Sequence, residues 1–305
     1  MEKLSLAVKE IQTRIPSLEL CLQEPMRNHC SFRIGGPATA MALPKSIEEV
    51  QALCSLLQEL EIRPFVMGNG TNLLVEDGPF EHIVIKFGDK FSTVRRVGDC
   101  ELEADCGVSL ARLAVTAKEY GLSGLEFAHG IPGTLGGAVS MNAGAYGGEM
   151  KDVVVETVYL DENGQLHTLC EDQHEFSYRH SAFSGHDWMI LRSRVRLVPG
   201  DPEAIGARMQ ELMEKRRSSQ PLEKPSAGST FKRPVGGYAA ALIDQAGLKG
   251  YTVGGAQVSE KHAGFVINRG DATFADVLQI IEDIQNRVLQ TYGIALEPEV
   301  RIIRN

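Results

Sequence analysis

The chain contains 305 residues, and at roughly 150 residues per domain this length predicts two domains. Hydrophobic residues make up 43% and charged residues 23%, close to the globular average, which excludes a largely disordered chain. The formal net charge of −9 argues against an extended nucleic-acid-binding face. No apolar run approaches the ~20 residues that cross a bilayer, and the N-terminal residues lack the apolar stretch of a secretory signal. We therefore expect a soluble, cytoplasmic protein with neither nucleic-acid nor membrane partners.

Cysteine and histidine spacing gives no sign of a disulfide framework or a metal site. The six cysteines contain no CxxC pair, which is typical of reduced thiols, and the eight histidines show no HExxH spacing. Glycine is the unusual residue, with 31 copies, roughly 10% against an average of about 7%. These glycines are clustered, so we look for function in the clusters.

The predicted elements of the first two hundred residues mix helices and strands irregularly. We predict helices over 4–14, 46–61 and 110–120, and strands over 39–43, 64–68, 82–87, 153–160, 165–169 and 188–197, with two more strands between 93 and 108. Ser46-Ile-Glu-Glu49 predicts a capping box at the start of the second helix. Asn163-Gly164 predicts a tight hairpin turn.

A break at Pro199-Gly-Asp-Pro202 is the best candidate for a domain boundary, with Asp201 as N-cap and Pro202 at the first helical position. Beyond it we predict helices over 202–217, 239–247 and 273–292, strands near 256–258 and 264–268, and a terminal strand over Leu296–Ile303. The helix over 273–292 is predicted to bury Val277, Ile280, Ile281, Ile284, Val288 and Leu289. Separate α and β segments favour an α+β fold over an alternating doubly wound sheet.

The turn Gly68-Asn69-Gly70-Thr71-Asn72 follows a predicted strand. Successive backbone N–H groups in such a turn can converge on an anion, and Thr71 and Asn72 add side-chain donors. A simple strand-to-loop turn is the other interpretation. The pattern is neither a dinucleotide-binding GxGxxG nor a Walker loop.

A second glycine-rich segment, Gly130–Gly148, changes the balance between these interpretations. Two glycine-rich turns in one predicted lobe favour close backbone contact with an extended ligand such as a pyrophosphate-containing dinucleotide. A flexible surface loop is the alternative, but Ile131, Leu135 and Val139 argue for burial. The sequence therefore favours a site for a flat, phosphorylated cofactor.

Three further segments carry chemical groups with two interpretations each. Arg179 in Tyr178-Arg-His-Ser181 could pair with a carboxylate or could be an ordinary surface arginine. Ser229, after Gly228, could be a cap, a turn residue or a proton donor, but no GxSxG elbow surrounds it. Glu297 and Glu299 occupy alternate positions on the predicted terminal strand and so point to one face. Such a pair of acidic residues at a chain end ordinarily has no functional role.

Taken in order, eight segments resemble the UDP-N-acetylenolpyruvoylglucosamine reductase family. They are FRIGGPA (32–38), GNGTNLLV (68–75), GIPGTLGGAVSMNAGAYG (130–147), YRHS (178–181), PSAGSTFKRP (225–234), AGLKG (246–250), SEKHAGFVIN (259–268) and LEPEVRII (296–303). The resemblance extends from about residue 20 to the C-terminus. The connection lengths resemble the shorter form of the family, which lacks a loop that closes over the substrate.

The helical pattern near the start predicts an N-terminal helix region over 1–19. The resemblance, which begins near residue 20, implies an FAD-binding domain over 20–200 and a C-terminal substrate-binding domain over 201–305. The FAD lobe would be of the vanillyl-alcohol-oxidase/PCMH type, in two subdomains that meet near residue 93. FAD would bind non-covalently, and NADPH would reduce it. The implied reaction converts UDP-N-acetylglucosamine enolpyruvate, a small nucleotide sugar, to UDP-N-acetylmuramate for peptidoglycan synthesis.

The resemblance also implies roles for individual residues. Arg179 and Glu299 would stabilise an enol intermediate, and Ser229 would deliver a proton to the carbon that bears the carboxylate. The cofactor-binding candidates are Gly68, Asn69, Gly70, Thr71, Asn72, Gly130, Ile131, Pro132, Gly133, Thr134, Gly136, Gly137, Asn142 and Gly144. The substrate-binding candidates are Tyr146, Lys249, Arg216, Arg217, Arg233 and His262.

Three residues depart from the family pattern. Arg233 replaces an asparagine and His262 a glutamine of the longer form, and Thr71 replaces a serine. Two alternative functions are an FAD-linked oxidase of the same fold and a nucleotide-sugar sensor with a decayed flavin site. The family contexts of Ser229 and Glu299 argue against the first, and the intact glycine-rich turns argue against the second.

Overall fold

The computed structural model describes residues 2–305, which contain seven α-helices and eighteen β-strands. The helices are α1 (Glu2–Arg14), α2 (Ile47–Glu59), α3 (Leu110–Glu119), α4 (Leu135–Ser140), α5 (Pro202–Ser219), α6 (Ala239–Gln245) and α7 (Phe274–Tyr292). The strands are β1 (Glu19–Pro25), β2 (Pro37–Leu43), β3 (Phe65–Met67), β4 (Leu73–Val75), β5 (Phe80–Lys86), β6 (Val94–Val97), β7 (Glu101–Asp105), β8 (Leu122–Ser123), β9 (Gly144–Ala145), β10 (Gly148–Glu149), β11 (Val154–Leu160), β12 (Leu166–Cys170), β13 (Met189–Arg196), β14 (Val198–Pro199), β15 (Thr252–Val253), β16 (Ala256–Val258), β17 (Val266–Asn268) and β18 (Arg301–Ile303). Within residues 2–305, no helix combines the length and the apolar character needed to cross a membrane.

Local capping signals explain where several helices begin and end. Helix α5 begins after Asp201, whose carboxylate accepts the amide N–H groups of Glu203 and Ala204. Helix α7 has a reciprocal capping box between Thr273 and Asp276, and ends at Gly293 with a φ of 69°. These starts and the C-terminal glycine are readable from neighbouring residues, because caps satisfy backbone groups within one helical turn.

The predicted capping box of α2 is only half correct. The Ser46 side chain does accept the Glu49 amide, as predicted. The Glu49 carboxylate, however, accepts the amide of Lys45 and the hydroxyl of Ser17. A nearby hydroxyl from another segment thus competes for the carboxylate, which no local pattern could show.

The chain divides into two compact units. The first unit consists of the chain up to Leu22 with Ala40–Asn69 and His82–Lys215. Its largest sheet is antiparallel, with strand order β12-β11-β13-β7-β6. Apolar residues of the sheet and of α2, α3 and α4 form one core, which also includes Ile205 and Met209 of α5. A separate four-stranded sheet has the order β1-β2-β5-β3, with β3 and β5 parallel.

The second unit consists of Gln23–Thr39, Gly70–Glu81 and Arg216–Asn305. One face of α7 fills its core, where Val277, Ile280 and Ile284 are buried. The antiparallel sheet β15-β16-β17 lies in this unit. Strands β4 and β18 pair in parallel, so that Leu73 lies opposite Arg301. This pairing joins residues more than two hundred positions apart, and the sequence analysis did not predict it.

The predicted α+β class is confirmed by the separate helical and mainly antiparallel strand segments. The predicted domain limits of 1–19, 20–200 and 201–305 stay a prediction, and the compact units do not coincide with them. Most of α5 belongs to the first unit because its apolar side chains enter that core. Residues 23–39 and 70–81 belong to the second.

Two predictions near the C-terminus are wrong. The terminal strand covers only Arg301–Ile303, so Glu297 and Glu299 lie outside it. The backbone of this earlier segment pairs with another partner, since Phe231 and Pro298 form an isolated antiparallel bridge. Leu289 was predicted to be buried but is 49% exposed. It follows Val288, the last buried residue of the apolar face, and the helical rotation of about 100° per residue turns it away from that face.

Candidate active site

The two glycine-rich turns meet within the first unit at Gly68. A Cβ added to Gly68 would lie 2.2 Å from Oγ1 of the buried Thr134. The Asn69 side chain donates to the carbonyl of Pro132 at 3.3 Å. The two turns are therefore in direct contact, and the absence of a side chain at Gly68 leaves room for Thr134. That they share one ligand site stays a prediction.

Several amides of the 130–137 segment are used within the first unit. Those of Ile131, Leu135 and Gly136 donate to the carbonyls of Ala128, Val108 and Cys106. Among residues 2–305, no hydrogen bond takes up the amides of Gly133 and Thr134. These two amides directly precede α4, whose N-cap is Thr134. They are therefore the groups of this segment best suited to an anion.

Gly136 has a packing role instead. A Cβ at Gly136 would lie 2.8 Å from Cβ of Cys106, and the Cys106 carbonyl accepts the Gly136 amide at 2.8 Å. Burial raises the pKa of the Cys106 thiol well above its usual value. Gly137 has more space, since a Cβ there would meet Thr134 Oγ1 at 3.6 Å. The glycines of this motif thus serve different purposes.

His129 immediately precedes the second glycine-rich turn. Its Nδ1 is buried and has no hydrogen-bond partner among the described residues. Burial, with a smaller contribution from Lys118, lowers the pKa of this imidazole. A buried, unpaired polar atom beside a predicted cofactor loop is consistent with a further bound group. The sequence analysis assigned His129 no role.

The remaining residues of the first turn belong to the second unit. Gly70 has a φ of 59°, and its carbonyl accepts the amide of Ser31. The amide of Thr71 has no partner within the described chain. The Asn72 side chain donates to the carbonyl of Glu299 at 3.0 Å. One N–H of the Asn72 side-chain amide therefore holds the segment of a candidate catalytic residue, and the predicted contact of this side chain with a cofactor stays a prediction.

Asn142, Gly144 and Tyr146 lie in and beside the short hairpin β9–β10. Asn142 is 0% exposed, has a φ of 44°, and its side chain is hydrogen-bonded within the first unit. A Cβ at Gly144 would lie 2.8 Å from Cβ of Glu149 across the hairpin. Tyr146 lies at the hairpin tip with a φ of 54° and 41% exposure. An exposed aromatic ring held in a strained conformation is typical of a functional position.

Arg179 lies at the tip of a tight turn in the first unit. Ser177 and His180 form the bridge that closes this turn, and Arg179 has a φ of 55°. The fully buried Ser181 anchors the turn by donating to the carbonyl of Ser140 in α4 at 2.7 Å. The guanidinium carbon lies 5.0 Å from the ring centroid of Tyr178. The turn thus presents a cation whose backbone is fixed by the surrounding structure.

Thr230, the residue after Ser229, is hydrogen-bonded to the backbone of Glu299 in the second unit. The carbonyl of Thr230 accepts a hydrogen bond from the Glu299 amide at 2.8 Å. The amide of Thr230 donates to the carbonyl of Gly264. Its buried hydroxyl accepts the amide of Val266 at 3.1 Å. Ser229 itself is exposed and follows Gly228, which has a φ of 74°. The sequence analysis missed Thr230, because its hydrogen-bond partners are distant in the chain.

The substrate-binding candidates Lys249 and His262 also lie in the second unit. Lys249 pairs with Asp244 at 2.6 Å. Burial, followed by the charge of Lys249, lowers the pKa of His262, whose Nδ1 accepts the amide of Gly264. The His262 ring is therefore favoured in its neutral form.

The three arginine candidates lie in different local environments of the second unit. The guanidinium carbon of the exposed Arg233 lies 4.4 Å from the ring centroid of Tyr238. Arg216 and Arg217 lie in the last turn of α5, where the helix dipole favours cations. The Arg217 carbonyl accepts a hydrogen bond from Nζ of Lys261 at 2.6 Å.

Comparison with known proteins identifies two matching domain families. Residues 38–169 match the model described as FAD binding domain. Residues 220–303 match the C-terminal domain of UDP-N-acetylenolpyruvoylglucosamine reductase. The first match covers the glycine-rich turns, and the second covers Ser229 and Glu299.

Curated relatives and a solved structure match nearly the whole chain. UDP-N-acetylenolpyruvoylglucosamine reductase of Caldanaerobacter subterraneus subsp. tengcongensis is 49% identical over 93% of this chain and 94% of its own. The Agathobacter rectalis protein of the same name is 46% identical over 97% of this chain and 98% of its own. The crystal structure of UDP-N-acetylenolpyruvylglucosamine reductase from Thermus caldophilus has a TM-score of 0.80 and 34% identity, covering 94% of this chain and 99% of that one.

Proposed function

The chain belongs to the UDP-N-acetylenolpyruvoylglucosamine reductase family, and we propose from its geometry how its residues perform the family's reaction. The protein is an FAD-dependent oxidoreductase. It uses NADPH to reduce UDP-N-acetylglucosamine enolpyruvate to UDP-N-acetylmuramate in peptidoglycan precursor synthesis. Family membership favours this function over an FAD-linked oxidase.

The residues present fit a phosphorylated flavin cofactor. The amides of Gly133 and Thr134 have no partner within residues 2–305, and the buried Nδ1 of His129 is unpaired there too. When bound, FAD takes hydride from NADPH and supplies it to the enolpyruvyl double bond. We propose that Gly133 and Thr134 donate to its pyrophosphate, supported by Gly130, Ile131 and Pro132. Gly68, Asn69, Gly70, Thr71, Asn72, Gly136, Gly137 and Gly144 complete the proposed set, several of them by shaping the backbone. Asn142, whose side chain is hydrogen-bonded inside the first unit, would contribute only through its backbone.

Arg179 and Glu299 are proposed to stabilise the charge that develops on the substrate. Hydride addition to the terminal vinyl carbon leaves negative charge shared between the adjacent carbon and its carboxylate. A fixed guanidinium can pair with that carboxylate through two parallel hydrogen bonds. Arg179 suits this task because its turn is anchored through Ser181. Glu299 is proposed to stabilise the same enol form.

Ser229 is proposed to donate the proton that completes the reduction, at the carbon bearing the carboxylate. The observation that carries this proposal is the hydrogen bond from the Glu299 amide to the Thr230 carbonyl at 2.8 Å. This bond holds the residue next to Ser229 against the segment of Glu299. A hydroxyl is a weak acid, so its effectiveness depends on the basicity of the developing carbanion and on such positioning.

The substrate-binding roles remain proposals as well. Lys249, Arg216 and Arg217 are proposed to contact the diphosphate of the nucleotide sugar. Tyr146 is proposed for the substrate face, supported by its exposed ring at the hairpin tip. Arg233 and His262 are proposed as further contacts.

A cytoplasmic location is part of the proposal, since all six cysteines are thiols, which a reducing compartment favours. The formal charge of −9 supports a partner set without nucleic acid or membrane. The proposed partner is a small molecule, the nucleotide-sugar substrate.

The test separates the two half-reactions of Ser229→Ala by stopped-flow absorbance. We expect nearly unchanged flavin reduction by NADPH and a fall of ~10²- to 10⁴-fold in flavin reoxidation by substrate, typical of a lost proton donor. Ser229→Cys should recover part of this loss. The matched control is Ser226→Ala in the same loop, which should leave both rates unchanged. Normal reoxidation in Ser229→Ala would refute the proton-donor role.

A further inference from the structure

We propose that Asn142 is a positioning residue that fixes the turn of Arg179 relative to the hairpin of Tyr146. This inference rests on the proposed function of Arg179. The resemblance had suggested a cofactor contact for Asn142. Since its side chain is 0% exposed and hydrogen-bonded inside the first unit, such a contact could come only from its backbone.

The side-chain amide of Asn142 uses all of its polar atoms within the protein. Nδ2 donates to Oε2 of Glu149 at 2.6 Å and to the carbonyl of Ser177 at 3.0 Å. Oδ1 accepts the amide of Lys151 at 2.9 Å. Both N–H groups and the carbonyl oxygen thus have a partner. One side chain connects segments that are 7 and 35 residues away.

Each partner belongs to an element that carries a candidate site residue. Glu149 lies in β10, directly across the hairpin from β9, with Tyr146 at the tip between them. Glu149 is itself fixed, because Lys151 pairs with its carboxylate at 2.6 Å. Ser177 begins the turn that presents Arg179, and the carbonyl that accepts from Asn142 also accepts the His180 amide. The bond to Ser177 therefore acts on the backbone of this turn.

Asparagine suits this position through both its backbone conformation and its side-chain donors and acceptor. The φ of 44° is tolerated by asparagine better than by most residues with a side chain. Aspartate has the same shape and tolerates this conformation, but it lacks both N–H donors. It would also place a carboxylate 2.6 Å from the carboxylate of Glu149. Asn142→Asp thus removes the two connections while preserving the size and the backbone.

The experiment measures both half-reactions of Asn142→Asp by stopped-flow absorbance. We expect FAD to remain bound with reduction by NADPH preserved, and reoxidation by UDP-N-acetylglucosamine enolpyruvate to slow by about 10- to 100-fold, as small misplacements of a catalytic group do. Asn142→Gly, which adopts positive φ without strain, provides a second variant if the aspartate protein fails to fold. Ser193→Ala is the control, since it removes a different buried hydrogen bond of this unit, to Thr157. It should leave both rates unchanged.

A double-mutant cycle with Arg179→Ala tests whether Asn142 acts through Arg179. If it does, adding Asn142→Asp to Arg179→Ala causes little further slowing. Equal slowing by Asn142→Asp in both backgrounds, or normal reoxidation in Asn142→Asp alone, overturns the inference. Normal reoxidation in Arg179→Ala alone would instead refute the proposed function of Arg179. Partial recovery in Asn142→Asp/Glu149→Gln, where the amide and the carboxylate exchange places, would further support the inference.

Discussion

Gly68→Ala is the sharpest test of the contact between the two glycine-rich turns. The added methyl would lie 2.2 Å from Oγ1, 3.1 Å from Cγ2 and 3.2 Å from Cβ of Thr134. Ordinary contacts between such atoms are roughly 3.5–4.0 Å. Thr134 must therefore move by about 1 Å or rotate, and its buried position allows little relief.

The expected cost follows from what Thr134 does in the structure. Its hydroxyl is the N-cap of α4 and accepts the amide of Gly137, and loss of an N-cap costs about 1 kcal/mol. Overpacking a buried site costs a further ~1–3 kcal/mol. We therefore expect the free energy of unfolding of the apoprotein to fall by about 2–4 kcal/mol. Flavin content should also fall, since the amides of Gly133 and Thr134 would shift.

Urea unfolding of the apoprotein measures this effect against a matched alanine variant. A Cβ at Gly137 would lie 3.6 Å from the same Oγ1, an ordinary contact, and alanine is favoured over glycine within a helix by ~0.5–1 kcal/mol. Gly137→Ala should therefore be neutral or stabilising. Thr134→Ala should partly rescue Gly68→Ala in a double-mutant cycle. An unchanged urea midpoint for Gly68→Ala, or equal losses in both alanine variants, would refute the argument.

Two further predictions concern charge. Lys249→Ala should raise the apparent KM for the nucleotide sugar in steady-state assays far more than it slows flavin reduction by NADPH. The fold should tolerate this change, because the partly exposed ion pair with Asp244 contributes little stability. Equal damage to both half-reactions would contradict the diphosphate role. Burial lowers the pKa of His174 in the folded protein. On acidification this histidine is therefore protonated in the unfolded chain before it is protonated in the folded protein. The free energy of unfolding is consequently highest above a pH of about 6.5 and decreases as the pH falls below that value. The urea midpoint of His174→Gln should therefore fall less steeply on acidification than that of the unmutated protein. Part of the slope should remain, because the pKa values of His129 and His262 are also lowered. An identical pH profile for the two proteins would contradict this prediction.

The features that the sequence predicted correctly depend on neighbouring residues. Asp201 and Pro202 gave the start of α5, and the apolar spacing gave most of the buried face of α7. The glycine-rich turns were recognised because closely spaced glycines permit backbone conformations and approaches that other residues resist, as at Gly68 and Gly70.

The features that the sequence did not predict depend on partners distant in the chain. The three-residue strands β4 and β18 are too short to give a periodic signal, and their parallel pairing joins the second and third sequence segments of the second unit. The partners of Asn72 and Asn142 were also unpredictable, because an amide side chain has no preferred partner until the fold brings one within reach. A candidate site could therefore be identified by motif, whereas the connections that hold it required the structure.

The strained conformation of Arg179 leads to a final prediction that separates stability from chemistry. Its φ of 55° costs a residue with a Cβ roughly 1–2 kcal/mol, which glycine does not incur. Arg179→Gly relieves this strain but gains ~0.4–1 kcal/mol of unfolded-state entropy relative to alanine. Arg179→Gly should therefore be more stable than Arg179→Ala by about 1 kcal/mol in urea unfolding, while both variants lose the guanidinium and slow reoxidation by substrate to the same extent. If the alanine variant proves as stable as the glycine variant, the turn is not strained. If only one variant is slow, the backbone rather than the cation of Arg179 controls the reaction.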